Sequence, residues 1–262
     1  MLEDFQRYTL QNFSKSTAEK DLIFIMRLLR NNKIYIPKPK AKAGKVTEVR
    51  EFKDDELRRF FETCEKWYPE YLCLFLTMLA TGMRLAELVP SNRSTHRPLL
   101  KSEVDFDKGI ITVRSAKVLP NQEGKMRFIP VTNDLLELLK HQINLNSDGE
   151  YVFNRFTYKN CRKPIARIFD SIIKRAGIPK FDELKRKLIS HSFRHTYATK
   201  MAEKIGGDQF ILKEVLGHKR IVTTERYVHI KPTTMIIDVS DFYKNPLEDS
   251  LEKKGKDNQA VS

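Results

Sequence analysis

Cysteine is scarce in this sequence, and the few cysteines are scattered. The 262 residues include only Cys64, Cys73 and Cys161, and no two of them form a C-x-x-C pair. A disulfide framework needs several cysteines, and a zinc knuckle needs closely spaced pairs, so neither is predicted. The low cysteine content is typical of a reducing compartment. We therefore expect a cytoplasmic protein associated with the nucleoid.

Long apolar runs are also missing. The longest, residues 71–80, has ten residues, about half of what a bilayer-spanning helix needs. The N-terminal segment MLEDFQRYTL carries early acids and lacks the continuous apolar core of a signal peptide. The sequence therefore predicts no membrane association.

Acidic residues are outnumbered by basic ones, and the excess is clustered. The formal net charge is +14, from 48 lysines and arginines against 34 acids. Residues 33–45 contain five lysines and no acid, and residues 154–195 contain twelve basic residues against three acids. Clustered positive charge binds polyanions by releasing counterions, so we predict a nucleic-acid surface. The candidate DNA-binding residues are Lys38, Lys40, Lys42, Lys45, Arg162 and Lys163.

Hydrophobic periodicity predicts several helices and one β-hairpin. Residues 1–32 are expected to be helical and residues 36–45 to form a basic linker. Alternating β-branched residues at 109–115 and 125–132 predict a hairpin. Further helices are expected at residues 54–67, 69–82, 133–144, 158–176, 191–204, 208–216 and 223–230. The predicted organisation is an N-terminal DNA-binding segment with its linker (1–45), a main domain (46–245) and a polar tail (246–262).

Two arginines are suited to hold a phosphate. Arg84 directly follows a predicted buried helix and its glycine cap. Arg194 lies further along the chain, in the segment HSFRHTYAT. A guanidinium is always charged and forked to match two oxygens, although most arginines are only solvated surface charges. Glu87, one helical turn after Arg84, can pair with it and fix its orientation.

Histidines and a tyrosine follow these arginines along the chain. His191 and His218 can exchange protons near neutral pH, and Tyr227 lies nine residues after His218. A tyrosine phenol becomes nucleophilic only beside a base or positive charge, which these neighbours supply. A zinc site is not predicted, because His191 and His195 lack the intervening glutamate of H-E-x-x-H and no other ligand is suitably spaced.

Three segments, TGMRLAEL, HSFRHTYAT and LGHKRIVTTERYVHI, resemble the signature blocks of the tyrosine recombinases, the phage integrase and Xer family. The resemblance covers about residues 51–230. It implies the catalytic-domain fold of that family, which is mainly helical with a small antiparallel sheet. It also implies that Lys117 occupies the place of the family's β-hairpin lysine, with Lys125 as the alternative, and that Glu87 matches the acid after the first arginine.

The resemblance further implies a mechanism that needs no cofactor and no metal. Tyr227 would attack the scissile phosphate and form a 3′-phosphotyrosyl link, while Arg84, Arg194 and His218 hold the phosphoryl oxygens. Lys117 would protonate the leaving oxygen, and His191 would accept the tyrosine proton. The implied partner is double-stranded DNA, bound by a homo-tetramer on two duplexes, with a monomer or dimer expected off DNA.

The sequence departs from the family in two places. Only about 45 residues precede the catalytic domain, where the family has four or five helices, so this core-binding segment looks truncated. Residues 91–98, SNRSTHRP, look like an insertion that is either a phosphate contact or a solvated loop. The short N-terminal segment keeps open the alternative of a DNA-binding protein of this fold without complete strand exchange. Related tyrosine chemistry keeps open a second alternative, a type IB-like enzyme that relaxes DNA.

Overall fold

The structure of the protein is a computed structural model, which describes residues 2–13, 15–37, 49–89, 98–114, 126–145, 149–154 and 162–204 and the single positions 212, 216 and 237. These residues form a mainly α-helical fold with one three-stranded antiparallel sheet. The helices are α1 (Leu2–Asn12), α2 (Lys15–Asn31), α3 (Asp54–Trp67), α4 (Pro69–Thr81), α5 (Leu85–Leu88), α6 (Asn133–Leu145), α7 (Arg162–Arg175) and α8 (Ser192–Lys204). The strands are β1 (Val104–Asp105), β2 (Ile110–Arg114) and β3 (Met126–Pro130).

The chain divides into two compact units. One comprises residues 1–48 and 181–187, and the other comprises residues 49–180 and 188–262. In the first unit α1 packs against α2, and Ala18 and Leu22 of α2 are buried. The helical prediction for residues 1–32 is confirmed as two helices. The second unit contains all the other helices and the sheet.

Helices α3 and α4 begin and end at residues with clear local reasons. The first turn of α3 is acidic, which suits the positive end of the helix dipole, and the Glu56 carboxylate accepts the Lys53 N–H at 3.0 Å. Helix α4 begins at Pro69, whose missing N–H costs nothing in a first turn. It ends at Gly82, which adopts the left-handed conformation with φ 59°. Nearly all of α4 is apolar, so it is buried along most of its length.

Aromatic rings form the centre of the larger unit. Six buried rings contact one another in edge-to-face, tilted and stacked pairs, with centroids 4.9–6.1 Å apart. They belong to Phe52, Phe60, Phe61, Phe75, Phe169 and Phe193. These residues come from α3, α4, α7, α8 and the segment before α3, so one cluster joins elements that are distant in sequence. The packing of these rings fixes where α8 lies against α4.

The predicted hairpin is confirmed, and the sheet has one strand more than predicted. Strands β2 and β3 pair in antiparallel register with Ile111 opposite Ile129, both fully buried. Strand β1 pairs along the other edge of β2. A strand of two residues has no periodicity to detect, which is why the sequence did not predict β1.

Some of the other predicted helices are confirmed, and others lie outside the described residues. The helices at 133–144 and 191–204 are confirmed with bounds shifted by one residue, and α7 confirms most of the helix expected at 158–176. Leu212 and Leu216 are helical, while most of the linker and of the insertion, and all of the last helix and the tail, lie outside the described residues. None of the helices that the structure describes is both long and apolar enough to cross a bilayer.

Replacing Phe60 with alanine tests the aromatic cluster. Phe60 is fully buried, so Phe60→Ala should lower the free energy of unfolding by about 3–5 kcal/mol, measured by urea denaturation. The matched control is Phe128→Ala on β3, whose side chain is 63% exposed and which should change stability by less than about 0.5 kcal/mol. Equal losses for the two variants would contradict this description of the core.

Candidate active site

The turn after α4 presents Arg84 to the candidate site. Gly82 has φ +59°, and a β-carbon built there would lie 2.4 Å from Cδ1 of Tyr197 on α8. Only glycine therefore fits both the left-handed backbone and the close approach of α8. Arg84 follows two residues later as the N-cap of the short helix α5. The glycine turn thus sets the position from which the Arg84 side chain extends.

Glu87 is the electrostatic centre of this turn. Its carboxylate accepts the Arg84 backbone N–H at 2.8 Å and Nη1 of the Arg84 side chain at 2.9 Å. From β3, Nη2 of Arg127 donates to the same carboxylate at 2.8 Å. The Glu87 and Arg127 side chains are 1% and 7% exposed, whereas that of Arg84 is 31% exposed. The predicted pairing of Glu87 with Arg84 is present, and Arg84 is the one member of the trio that reaches solvent.

Two arginines keep Glu87 ionised despite its burial. Burial by itself raises the pKa of this carboxyl group, but the Arg127 guanidinium and then that of Arg84 outweigh it and hold the pKa below its ordinary value. Sequence reasoning missed Arg127. Strand β3 alternates in the opposite sense to an ordinary half-buried strand: the apolar Met126 and Phe128 are exposed, while the charged Arg127 and the apolar Ile129 face inward.

Arg194 connects two of the motif segments. It lies in the first turns of α8, is 4% exposed, and donates from Nη1 to the Gly82 carbonyl at 2.6 Å. Its Nη2 donates to the Leu216 carbonyl at 2.5 Å. Gly82 lies two residues before Arg84, and Leu216 lies two residues before His218. One buried guanidinium therefore bonds to both the segment of Arg84 and the segment that begins at Leu216.

His191 lies immediately before α8, whose first residue is Ser192, so it precedes the helix predicted to contain it. Its carbonyl accepts the N–H groups of Arg194 at 3.1 Å and His195 at 3.3 Å, and its ring lies edge-to-face with that of His195 at 5.2 Å between centroids. Burial lowers the pKa of His191 to about 4, and the electrostatic influence of His195, Arg194 and Arg84 contributes to this decrease. The imidazole is therefore neutral at pH 7 and can accept a proton.

The structure brings together four of the predicted site residues. Arg84 pairs with Glu87, Arg194 is hydrogen-bonded to the turn that precedes Arg84, and both arginines act on the pKa of His191. Lys117, His218, Tyr227 and the four linker lysines lie outside the described residues. Arg162 and Lys163 lie in the first turn of α7, and their side chains lie outside the description.

This arrangement can bind a phosphodiester. Arg84 offers a partly exposed guanidinium whose Nη1 bonds to Glu87, and the buried Arg194 adds a second positive charge held by the Gly82 and Leu216 carbonyls. Fixed donors stabilise negative charge more strongly in a water-poor site than in bulk water. Among the residues that the structure describes, no group of three or more His, Cys, Asp and Glu side chains could hold a metal ion. The described part of the site contains arginine cations, the ionised Glu87 carboxylate and the neutral His191 imidazole.

Comparisons with known proteins agree on one family. The family model described as "Phage integrase family" matches residues 50–234. The chain is 30% identical over 207 residues to the protein named Tyrosine recombinase XerA of Pyrococcus furiosus, an alignment that covers 77% of this chain and 61% of that protein. Its fold is similar to the crystal structure of XerA recombinase, with TM-score 0.53, 22% identity, and coverage of 97% of this chain and 83% of that chain.

A DNA-bound structure has a similar fold. The crystal structure of a lambda integrase dimer bound to a COC′ core site gives TM-score 0.63 at 16% identity, covering 86% of this chain and 63% of that chain. The chain spans 52–61% of the length of three curated relatives that it matches. The comparisons thus cover the larger unit, which contains Arg84, Glu87, His191 and Arg194.

Substitution of Gly82 tests the close contact between the arginine turn and α8. Gly82→Ala should lower the free energy of unfolding by about 1–2 kcal/mol for its positive φ and by about 1–3 kcal/mol more for displacing the Tyr197 ring. Gly109→Ala is the matched control, because Gly109 has φ +65° and its added β-carbon would meet nothing closer than 3.5 Å. Urea denaturation of both variants should show the larger loss at Gly82, and equal losses would refute the contact.

The low pKa of His191 predicts a specific pH dependence of stability. Between pH 6.5 and about 4 the unfolded chain protonates this histidine and the folded chain does not, so stability falls as the pH falls. Relative to His191→Gln, the wild type should lose about 2–3 kcal/mol between pH 7 and pH 4.5, measured by urea denaturation. His141→Gln, at an exposed position on α6, should follow the wild-type curve. A parallel pH profile for His191→Gln would show that burial does not depress this pKa.

Proposed function

This chain belongs to the phage integrase family, and on that premise we propose that it is a site-specific DNA recombinase. It cuts DNA strands and rejoins them through a covalent phosphotyrosyl intermediate. The matched region, residues 50–234, includes all the residues to which the proposal assigns chemistry. Relatives named tyrosine recombinases support the assignment.

The proposed reaction exchanges one phosphoester for another. The phenolic oxygen of Tyr227 attacks the scissile phosphorus, and the bond from phosphorus to the 5′-oxygen breaks. The tyrosine proton passes to His191, and Lys117 supplies a proton to the departing 5′-oxygen. The products are a 3′-phosphotyrosyl link and a free 5′-hydroxyl, and attack by another 5′-hydroxyl reverses the step. Because the link keeps an ester bond to phosphorus, the exchange needs no ATP, and the proposal includes no metal.

Positive charge stabilises the transition state of this reaction. The non-bridging oxygens of the phosphorus gain charge as Tyr227 attacks. In the proposal Arg84 and His218 hold these oxygens, and the buried Arg194, which donates to the Gly82 and Leu216 carbonyls, adds positive charge from the interior. The neutral His191 is in the protonation state that a base requires. Its pKa of about 4 makes it a weak base in the free protein, and a bound phosphate raises that pKa because its charge favours imidazolium.

One observation supports the proposal above the others. Arg194 is buried, and its guanidinium is hydrogen-bonded to the carbonyls of Gly82 and Leu216. Burying a cation costs free energy, because the charge loses its hydration, so this cost must be compensated by hydrogen bonds. Gly82, two residues before Arg84, and Leu216, two residues before His218, bond to this one guanidinium, which supports the proposal of a composite phosphate site.

The proposed partner is double-stranded DNA. The structural neighbour described as a lambda integrase dimer bound to a core site supports this choice, as does the net charge of +14. In the proposal, residues 1–45 and the lysines between 38 and 45 contact the DNA backbone, and residues 46–245 perform catalysis. The strand exchange takes place in a homo-tetramer that holds two duplexes, assembled from monomers or dimers.

Replacement of Tyr227 by phenylalanine tests the proposed nucleophile. The wild type incubated with a library of nicked duplexes should form covalent protein–DNA adducts that survive denaturation, because the nick lets the 5′-hydroxyl diffuse away. Tyr227→Phe lacks the attacking oxygen and should form none, while its DNA affinity in a gel-shift assay stays unchanged. Tyr71→Phe is the control, because the Tyr71 ring packs against Phe75 in the core and takes no part in the proposed chemistry.

The same assay separates the alternatives. Undiminished adducts from Tyr227→Phe, or no adducts from the wild type, would contradict the proposal. Adducts without recombinant product on two mapped sites would favour a DNA-binding protein that does not complete the exchange. Relaxation of supercoiled DNA that lacks the mapped site would favour the type IB-like enzyme.

A further inference from the structure

Arg127 is a buried cation in a strand whose other inward residue is apolar. Its side chain is 7% exposed, and it donates to Glu87 from Nη2 at 2.8 Å and from Nη1 at 3.4 Å. The turn of Arg84 and the strand of Arg127 are 40 residues apart in sequence, so the sheet brings this charge to the carboxylate. Neither the motif segments nor the family resemblance assigns Arg127 a role.

The charges around Glu87 are unequal. One carboxylate, with one negative charge, receives two guanidinium groups, each with one positive charge. Without Arg127, Glu87 would neutralise Arg84 at the position where Arg84 must attract a phosphate. With Arg127 present, the trio has one net positive charge, and only Arg84 among its members is substantially exposed. The surplus charge is therefore available at the Arg84 guanidinium.

We propose that Arg127 is a positioning residue for the phosphate site: it neutralises Glu87, so that Glu87 can orient Arg84 without cancelling its charge. This inference rests on the proposed function, since it assigns Arg84 to the scissile phosphate. Because the Arg127 side chain is only 7% exposed, in this proposal it acts on Arg84 through Glu87 and not by contact with the DNA. The Glu87 carboxylate accepts hydrogen bonds from both the backbone N–H and the side chain of Arg84. The ionised state of Glu87 therefore supports both of these hydrogen bonds.

A second buried pair separates this role from simple stabilisation. Arg50 donates to both oxygens of Glu56 at 2.7 Å and 3.0 Å, and their side chains are 5% and 6% exposed. Arg50 also donates to the Pro179 carbonyl, and among the described residues no second basic side chain donates to Glu56. Removing either Arg50 or Arg127 leaves a buried carboxylate unpaired or under-paired, which destabilises the fold. Only the loss of Arg127 also changes the charge presented by Arg84.

The test compares Arg127→Met, Arg127→Lys, the double variant Glu87→Gln with Arg127→Met, and the control Arg50→Met. Single-turnover adduct formation is measured on a nicked duplex at the mapped site, at saturating protein and at a temperature where circular dichroism shows every variant folded. Arg127→Met should slow cleavage by roughly ten- to a hundredfold, because Glu87 then cancels Arg84. Arg127→Lys should be faster than Arg127→Met, since it restores the charge, and Arg50→Met should cleave at the wild-type rate.

The double variant distinguishes neutralisation of Glu87 from simple support of the fold. If Arg127 acts by neutralising Glu87, removing the charge of Glu87 as well should recover part of the rate lost in Arg127→Met. If Arg127 only supports the fold, the second substitution should slow cleavage further or leave it unchanged, and the proposal fails. Cleavage by Arg127→Met at the wild-type rate would also overturn it.

A second measurement does not depend on DNA cleavage. Inorganic phosphate should raise the melting temperature of the wild type by more than that of Arg84→Ala, because a ligand that binds only the folded state stabilises it. This Arg84-dependent part should disappear in Arg127→Met and persist in Arg50→Met. Absence of adducts from the wild type would refute the proposed function, whereas an unchanged Arg84-dependent shift in Arg127→Met would refute the role of Arg127.

Discussion

The hydrogen bonds of Arg194 to the Gly82 and Leu216 carbonyls are the interaction on which the site depends. A buried guanidinium is stable only when its N–H donors are hydrogen-bonded, because desolvation of an isolated cation is costly. By donating to two carbonyls at distant points of the chain, Arg194 fixes the Arg84 turn and the start of the His218 segment relative to α8. Gly82, 112 residues before Arg194, and Leu216, 22 residues after it, thereby bond to one guanidinium.

Charge at the site is arranged by burial as much as by sequence. Glu87 stays ionised although it is 1% exposed, because two arginines donate to it, and His191 stays neutral because burial and nearby cations depress its pKa. The two groups respond oppositely to the same positive surroundings, since a carboxylate is stabilised by cations and an imidazolium is destabilised. The result is one orienting carboxylate, three arginine cations and one neutral imidazole within a small region.

Hydrophobic packing holds these charges in place. Phe193 of α8 lies in the aromatic cluster with Phe52 and Phe60, while Tyr197, one turn later, packs on the bare backbone of Gly82. Arg194 lies between these two contacts on the same helix, so the packing of its neighbours limits the movement of its side chain. On the other side of the turn, the β2–β3 pairing sets the inward position of Arg127. The electrostatic site is therefore as rigid as the core that surrounds it.

The sequence by itself determined the helices with strong periodicity, the hairpin, the glycine cap at Gly82 and the pairing of Arg84 with Glu87, because these depend on residues close together in the chain. Its segments also indicated Arg194 and His191. Only the tertiary structure decided that Arg194 donates to Gly82 and Leu216 and that Arg127 shares Glu87. The two-residue strand β1 likewise exists only through its pairing with β2. The hydrogen bonds join residues that are 22 to 112 positions apart in the chain, and β1 is too short to show a pattern. No local sequence signal therefore encodes these features.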